Sequence, residues 1–218
     1  MQEGIRLYRE GKFKDALEAF LRADLDQADY PLFSYNLGLC YARLHKYEEA
    51  LLYLEQVVTS DLDFTQIYQS RMLLGFIYSE TMRLRLAAFE FRKLLEDGFE
   101  SAKIYAALAH VLFLERHVDE SISHAESALK LEPANPNALN SMGYILAETG
   151  TRLNLAFMYC SKAVKINPKN PTYLDSLGWV LHKQGRRHDA VGVLRKAVIM
   201  APENVTIRDH LQKALEIA

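Results

Sequence analysis

Three combs of small residues run along the 218-residue chain at nearly one period. Gly4, Gly38, Gly75, Ala109, Gly143 and Gly178 follow one another at steps of 34, 37, 34, 34 and 35 residues. Ala16, Ala50, Ala87, Ser121, Ala156 and Ala190 step by 34, 37, 34, 35 and 34, and Ala23, Val57, Leu94, Ala128, Ala163 and Ala197 repeat that series. Three registers that agree over the whole chain mark one supersecondary unit stacked on itself. Such stacks present extended binding surfaces, which sets the expectation for function.

One unit read residue by residue gives its conformation. In 171–204, apolar residues at Leu174, Leu177, Gly178 and Leu181 recur at helical spacing, and Gly185 then ends the helix in a turn. A second stripe at Ala190, Leu194, Ala197 and Val198 stops at Pro202. The unit is therefore two antiparallel helices. Gly178 and Ala190 are expected where the two helices face each other, and Ala197 where the next unit packs. All six prolines (Pro31, Pro133, Pro136, Pro168, Pro171, Pro202) fall between units, where a missing N–H is harmless.

Composition is that of an ordinary globular chain, 50% apolar and 25% charged, with a formal net charge of −2. No uninterrupted apolar run reaches the ~18 residues of a transmembrane helix. The start, Met1-Gln2-Glu3-Gly4, lacks the layout of a signal peptide. Cys40 and Cys160 lie three units apart, too far for a disulfide in a stack, and read as small core or groove residues. Charge is uneven. Residues 1–109 hold 13 basic and 17 acidic residues, whereas 152–196 hold nine basic residues against Asp175 and Asp189. The basic end suits an acidic partner or a membrane surface, or is a solvated outer face; its charges are not clustered as in nucleic-acid binders.

These residues resemble the tetratricopeptide repeat (TPR) family. Repeat 2 carries its pattern as Leu37-Gly38, Tyr41, Tyr47, Ala50 and Leu54, and repeat 3 as Leu74-Gly75, Tyr78, Leu84, Ala87 and Phe91. Repeat 6 reads Leu177-Gly178, Leu181, Gly185, Ala190, Leu194, Ala197 and Pro202. The resemblance implies an all-α, right-handed α-solenoid of stacked antiparallel helix pairs, a single domain over 1–218. Its repeats span about 1–30, 31–64, 68–101, 102–135, 136–170 and 171–204, followed by a capping helix over 205–217. Repeat 4 departs from the pattern with Ala109 and Ser121, and repeat 5 has one extra turn residue near Thr151-Arg152. Three extra residues around Phe64-Thr65-Gln66 are expected to alter the pitch or form a hinge. Repeat 1 begins in mid-helix, as in a chain cut from a longer protein or relieved of a leader. The stretches Met142–Ala147 and Tyr173–Val180 look like those of bacterial envelope repeat proteins, which leaves the compartment open between cytoplasm and envelope.

The family's first helices line a groove, and its groove positions carry over one by one. They give Tyr35, Asn36, Leu39 and Arg43 in repeat 2, Met72, Phe76 and Glu80 in repeat 3, and Lys103, His110, Phe113 and Leu114 in repeat 4. Repeat 5 supplies Asn140, Tyr144 and Glu148; repeat 6 supplies Asp175, Trp179, His182 and Lys183. The ninth position reads Ile5, Leu39, Phe76, His110, Tyr144, Trp179, a nearly apolar row that suits a peptide with apolar anchors. Asn36 and Asn140 are expected to grip its backbone, since an amide both donates and accepts. For Phe76 and Tyr144, packing against neighbouring first helices is an equally open reading. The Lys and Asn set with which chaperone-binding family members hold a terminal carboxylate is missing: Tyr35 and Leu39 stand in those places in repeat 2.

Catalytic chemistry has no foothold. His110, His117 and His124 span two helices and a turn, and no His-Glu-x-x-His or zinc-spaced cysteine pair occurs. Asp24, Asp26 and Asp29 lack the glycine and closing glutamate of a calcium loop, and Ser127–Lys130 is a Ser-x-x-Lys match without context. The expectation is a non-enzymatic adaptor with no cofactor and no metal, binding a protein segment and neither nucleic acid nor a membrane span. The rivals are a helper subunit that positions a catalytic partner, and a self-associating module that exposes Leu7, Phe13 and Phe20 of repeat 1.

Overall fold

The computed structural model describes residues 1–24, 26 and 29–216. The helices form two compact units, Met1–Phe99 and Glu100–Ala218. Unit 1 holds α1 (Gln2–Arg9), α2 (Phe13–Leu21), α3 (Tyr30–Arg43), α4 (Tyr47–Val57), α5 (Phe64–Glu80) and α6 (Leu84–Glu96). Unit 2 holds α7 (Ala102–Leu114), α8 (Val118–Leu131), α9 (Pro136–Glu148), α10 (Leu153–Ile166), α11 (Pro171–Lys183), α12 (Arg187–Met200) and α13 (Val205–Leu215). Each unit is an all-α, right-handed stack of antiparallel helix pairs, and unit 2 ends in the unpaired α13. Ile217, the last residue of the expected capping helix, lies outside the described residues.

The first comb sets how closely the helices of a pair approach. A Cβ on Gly4 would come within 2.6 Å of Phe20, on Gly38 within 2.6 Å of Leu54, on Gly75 within 2.7 Å of Phe91, and on Gly178 within 2.5 Å of Leu194. The bulk opposite each glycine thus comes from the residue sixteen positions on, rather than from the alanine of the second comb. Repeat 4 swaps both partners: Ala109 replaces the glycine, and Ala125, sixteen positions on, is fully buried in the same cluster. Its second departure serves the same contact, since the Ser121 hydroxyl donates to the Ala109 carbonyl at 2.6 Å. The extra turn residue of repeat 5 moves Cys160 opposite Gly143. Both cysteines are buried and free.

Turns within the pairs obey the same period. Gly11, His45, Met82, Arg116, Gly150 and Gly185 all have positive φ, between 56° and 77°. Glycine adopts this left-handed conformation freely, whereas at His45, Met82 and Arg116 a side chain is held there at a cost.

Packing between neighbouring repeats uses the third comb. In unit 2, Ala128 clusters with Ala138, Ala163 with Leu139 and Tyr173, and Ala197 with Leu174 and Ile207. Asparagines after the inter-repeat prolines cap the next first helix. Asn135 accepts from Ala138 N–H at 3.0 Å, Asn170 from Thr172 N–H at 2.9 Å, and Asn204 from Ile207 N–H at 3.1 Å. The three extra residues between repeats 2 and 3 are helical. They extend α5 to 17 residues, and Asp63 caps the added turn by accepting from Thr65 and Gln66 N–H. Phe64, in that turn, rests on Phe99 with ring centroids 4.6 Å apart.

Candidate partner-binding site

In unit 1 the candidate residues divide into a fixed frame and an open row. Tyr35 is buried and donates its hydroxyl to Gln69; burial, above all, raises its pKa. Asn36 is buried too, and its amide donates to the Leu32 carbonyl one turn back at 2.7 Å, so it is committed to its own helix. Arg43 is exposed, donates to the Tyr8 hydroxyl at 3.3 Å and lies over the Phe13 ring at 5.8 Å. Leu39 and Met72 are half-buried, while Phe76 is 51% exposed. Ile5, the ninth-position residue of repeat 1, borders a depression of about 410 Å³ lined also by Gln2, Arg6, Arg9 and Glu10.

The expected self-association face of repeat 1 is not available as read. Phe20 is fully buried against the backbone at Gly4, and Phe13 and Leu7 are half-buried, with the Phe13 ring 5.3 Å from Tyr8.

In unit 2 the chain itself covers Trp179. Trp179 is only 6% exposed, because α13 lays His210 on it with ring centroids 4.2 Å apart and planes 16° from parallel. His182 stacks on the same indole at 5.0 Å; Lys183 and Lys213 stand over it at 4.9 and 5.7 Å from the ring centroid. The indole N–H donates to the Glu148 carboxylate. Cationic side chains over an indole face gain from its quadrupole, so they reinforce the stack. His210 Nδ1 lies 3.0 Å from both carboxylate oxygens of Asp175, and both residues are buried. Trp179, a groove candidate by sequence, is thus buried beneath α13.

The remaining unit 2 candidates divide between buried and exposed side chains. Phe113 is buried edge-on against the half-buried Tyr144, whose pKa burial drives upward, followed by the Glu148 and Asp175 charges. Burial first, and then Lys183, lowers the pKa of His182, which favours a neutral stacking ring. Asn140 is 9% exposed, and its side-chain carbonyl has no hydrogen-bond partner among the described residues. His110, Lys103 and Lys183 are exposed, Leu114 half-buried. His210 and Lys213 belong to this constellation and were not among the sequence candidates. The available signal was one repeat step: His210 follows Asp175 by 35 residues.

α13 is well anchored. Ile207 packs with Leu174 and Ala197, and Ala214 with Leu181, Ala190 and Leu194. Arg187 of α12 donates to the Ala214 carbonyl at 3.1 Å and to that of Leu215, satisfying the end of the helix. Among the described residues no cluster of His, Cys, Asp or Glu is placed to hold a metal, and no helix is long and apolar enough to cross a membrane.

Comparison with known proteins places this arrangement. Tetratricopeptide repeat family models match residues 1–62 and 172–201. Intraflagellar transport protein 70A of Danio rerio is 23% identical over 181 residues; the match takes in 72% of this chain but 26% of that protein. A thermophilic TPR protein of Thermus thermophilus superposes with a TM-score of 0.69 at 18% identity, over 85% of this chain and 98% of the other. A tetratricopeptide repeat protein of Parabacteroides merdae gives 0.75 at 17% identity, over 98% and 82%. YrrB, named as a TPR protein with an unusual peptide-binding site, gives 0.53 at 18% identity, over 92% and 97%. Tetratricopeptide repeat models thus match the two ends of the chain, and its period and paired helices give it the fold of these repeat structures.

Proposed function

We propose that this chain is an adaptor that binds a segment of a partner protein on the first-helix face of unit 1, with Ile5, Leu39 and Phe76 as apolar contacts. One observation carries the reading. Phe76 stands 51% exposed at the repeat position where Trp179 is buried beneath α13. A large ring on an exposed helix face favours a site that a partner covers. Arg9 and Arg43 are exposed on α1 and α3 and suit acidic or carbonyl groups on the bound segment. YrrB, whose name records peptide binding, shares the fold and supports the reading by analogy.

The test is selection of binding peptides from a displayed library, followed by titration against wild type, Phe76→Ala and Leu39→Ala. Selected peptides are expected to bind Phe76→Ala at least about tenfold more weakly, a loss of about 1.4 kcal/mol. Peptides that bind both variants as well as wild type, or whose contacts map to unit 2, overturn the assignment to unit 1.

A further inference from the structure

A second surface, away from the first-helix faces, lies along the C-terminal turns of the second helices. In unit 2 these turns end in Leu131, Ile166 and Met200, at steps of 35 and 34 residues, and all three side chains are substantially exposed. Around them stand Lys130, Lys162, Lys165, Lys169, Arg195 and Lys196, all exposed. None of the six takes part in an ion pair among the described residues; α10 has no acidic residue, and the one on α12, Asp189, is held by Arg186 at 2.8 Å. Lys130 and Lys165 complement the negative ends of their helices. The other four owe nothing to that effect, so helix stability does not account for the face.

At the same place in the repeats unit 2 also has exposed Glu132 and Glu203, and unit 1 has exposed Arg22, but the balance in unit 1 is acidic. Asp24 and Asp26 follow α2, Asp61 follows α4, and Asp97 ends α6. Acids beyond a helix C-terminus oppose the macrodipole, so these positions weaken the helices they follow. Exposed Leu21, Tyr30 and Phe64 stand beside them. One edge is basic with an apolar row, the other acidic with exposed apolar side chains, and the chain contains both.

We propose that the basic edge of unit 2 docks on the acidic edge of unit 1 of a second copy of this chain. The contact is heterologous, so a pair keeps one free edge of each sign and association continues beyond it unless the ring closes. It is strengthened at low salt, because the charges that meet are exposed and screened by ions.

Sedimentation velocity tests this across protein concentration, in salt from about 0.01 M to about 1 M, where the screening length falls from about 30 Å to about 3 Å. The expected result is a mass that climbs past the dimer with concentration at low salt and returns to that of the monomer at high salt. Two charge reversals, Lys162→Glu/Lys169→Glu/Lys196→Glu and Asp24→Lys/Asp61→Lys, are each expected to remain monomeric. Mixed together they associate again, since the reversed edge of one meets the reversed edge of the other; this recovery also shows that both variants are folded. Wild type that stays monomeric at low salt overturns the proposal, as does association that neither reversal weakens. Monomeric wild type that pellets with phosphatidylserine vesicles, in a manner abolished by the lysine reversal, assigns the basic edge to lipid instead.

Discussion

The two units are built from the same repeat, yet the aromatic ring that ends each ninth-position series is treated in opposite ways. In unit 1 the series runs Ile5, Leu39, Phe76 and ends on a ring that is half exposed. In unit 2 it runs His110, Tyr144, Trp179 and ends on a ring enclosed by His182, His210, Lys183 and Lys213. The difference is α13, which packs on α11 and α12 as the first helix of a further repeat would. An aromatic residue at this position is therefore not by itself a binding residue. Whether it is spent on folding or left for a partner depends on which helix lies beside it.

Truncating the two rings gives the sharpest division. Trp179→Ala removes the stack on His210, both cation contacts and the bond to Glu148, so a loss of about 3–5 kcal/mol is expected from denaturant unfolding. Phe76→Ala is expected to stay within about 0.5 kcal/mol, as a surface substitution does. The cysteines report which unit has opened. Burial pushes Cys40 up to about 11, and burial, then the Asp175 charge, pushes Cys160 up to about 12. Both are protonated and shielded at neutral pH, and the stability they lend is complete below their ordinary value of 9.0 and lost as pH rises towards the folded values. Trp179→Ala is expected to speed labelling of Cys160 by about a hundredfold or more and to leave Cys40 unchanged, since local opening need not spread. Equal costs for the two ring truncations would erase the contrast between the units.

A smaller effect separates repeat 4 from its neighbours. Gly178→Ala drives a Cβ to 2.5 Å from Leu194 and is expected to cost about 1–3 kcal/mol. Leu194→Ala alone costs about 2–5 kcal/mol by leaving a cavity. Together they reproduce the Ala109 and Ala125 combination of repeat 4, so the double variant is expected to lose less than the sum by at least about 0.5 kcal/mol. Strict additivity in this cycle would mean that the two sites do not compensate each other.

This pairing marks how far the sequence alone could be read. The combs fixed the helix pairs and the turns, because close approach needs small residues at a constant step. They also showed Ala109 and Ser121 as departures. That the two residues bond to each other required knowing that a serine hydroxyl in the second helix faces a carbonyl of the first. The spacing of 37 revealed three inserted residues but not their form, since three residues are close to one helical turn and fit a helix as well as a loop. The capping helix over 205–217 was legible from its apolar stripe. Its cover over Trp179 was not, because the contact joins side chains from two elements through a histidine that the pattern treats as neutral filler.

The left-handed turn residues give the finest comparison. Unit 1 places Gly11, His45 and Met82 there, and unit 2 places Arg116, Gly150 and Gly185. Arg152 of unit 2 is left-handed too, at φ 49° beside Gly150, so each unit holds two side chains in this disfavoured conformation. Met82 is an exposed side chain, so its removal forfeits little packing. Met82→Gly relieves a left-handed cost of about 1–2 kcal/mol against an added chain entropy of about 0.5–1 kcal/mol. The expected outcome is a gain of up to about 1 kcal/mol, read as slower labelling of Cys40 with that of Cys160 unchanged. The reverse change in unit 2, Gly185→Met, is expected to lose a similar amount and to accelerate Cys160 alone. If both substitutions instead shift both cysteines together, the units do not open independently, and the separation between an open first-helix face and a self-covered one must be sought in their linings rather than in their stability.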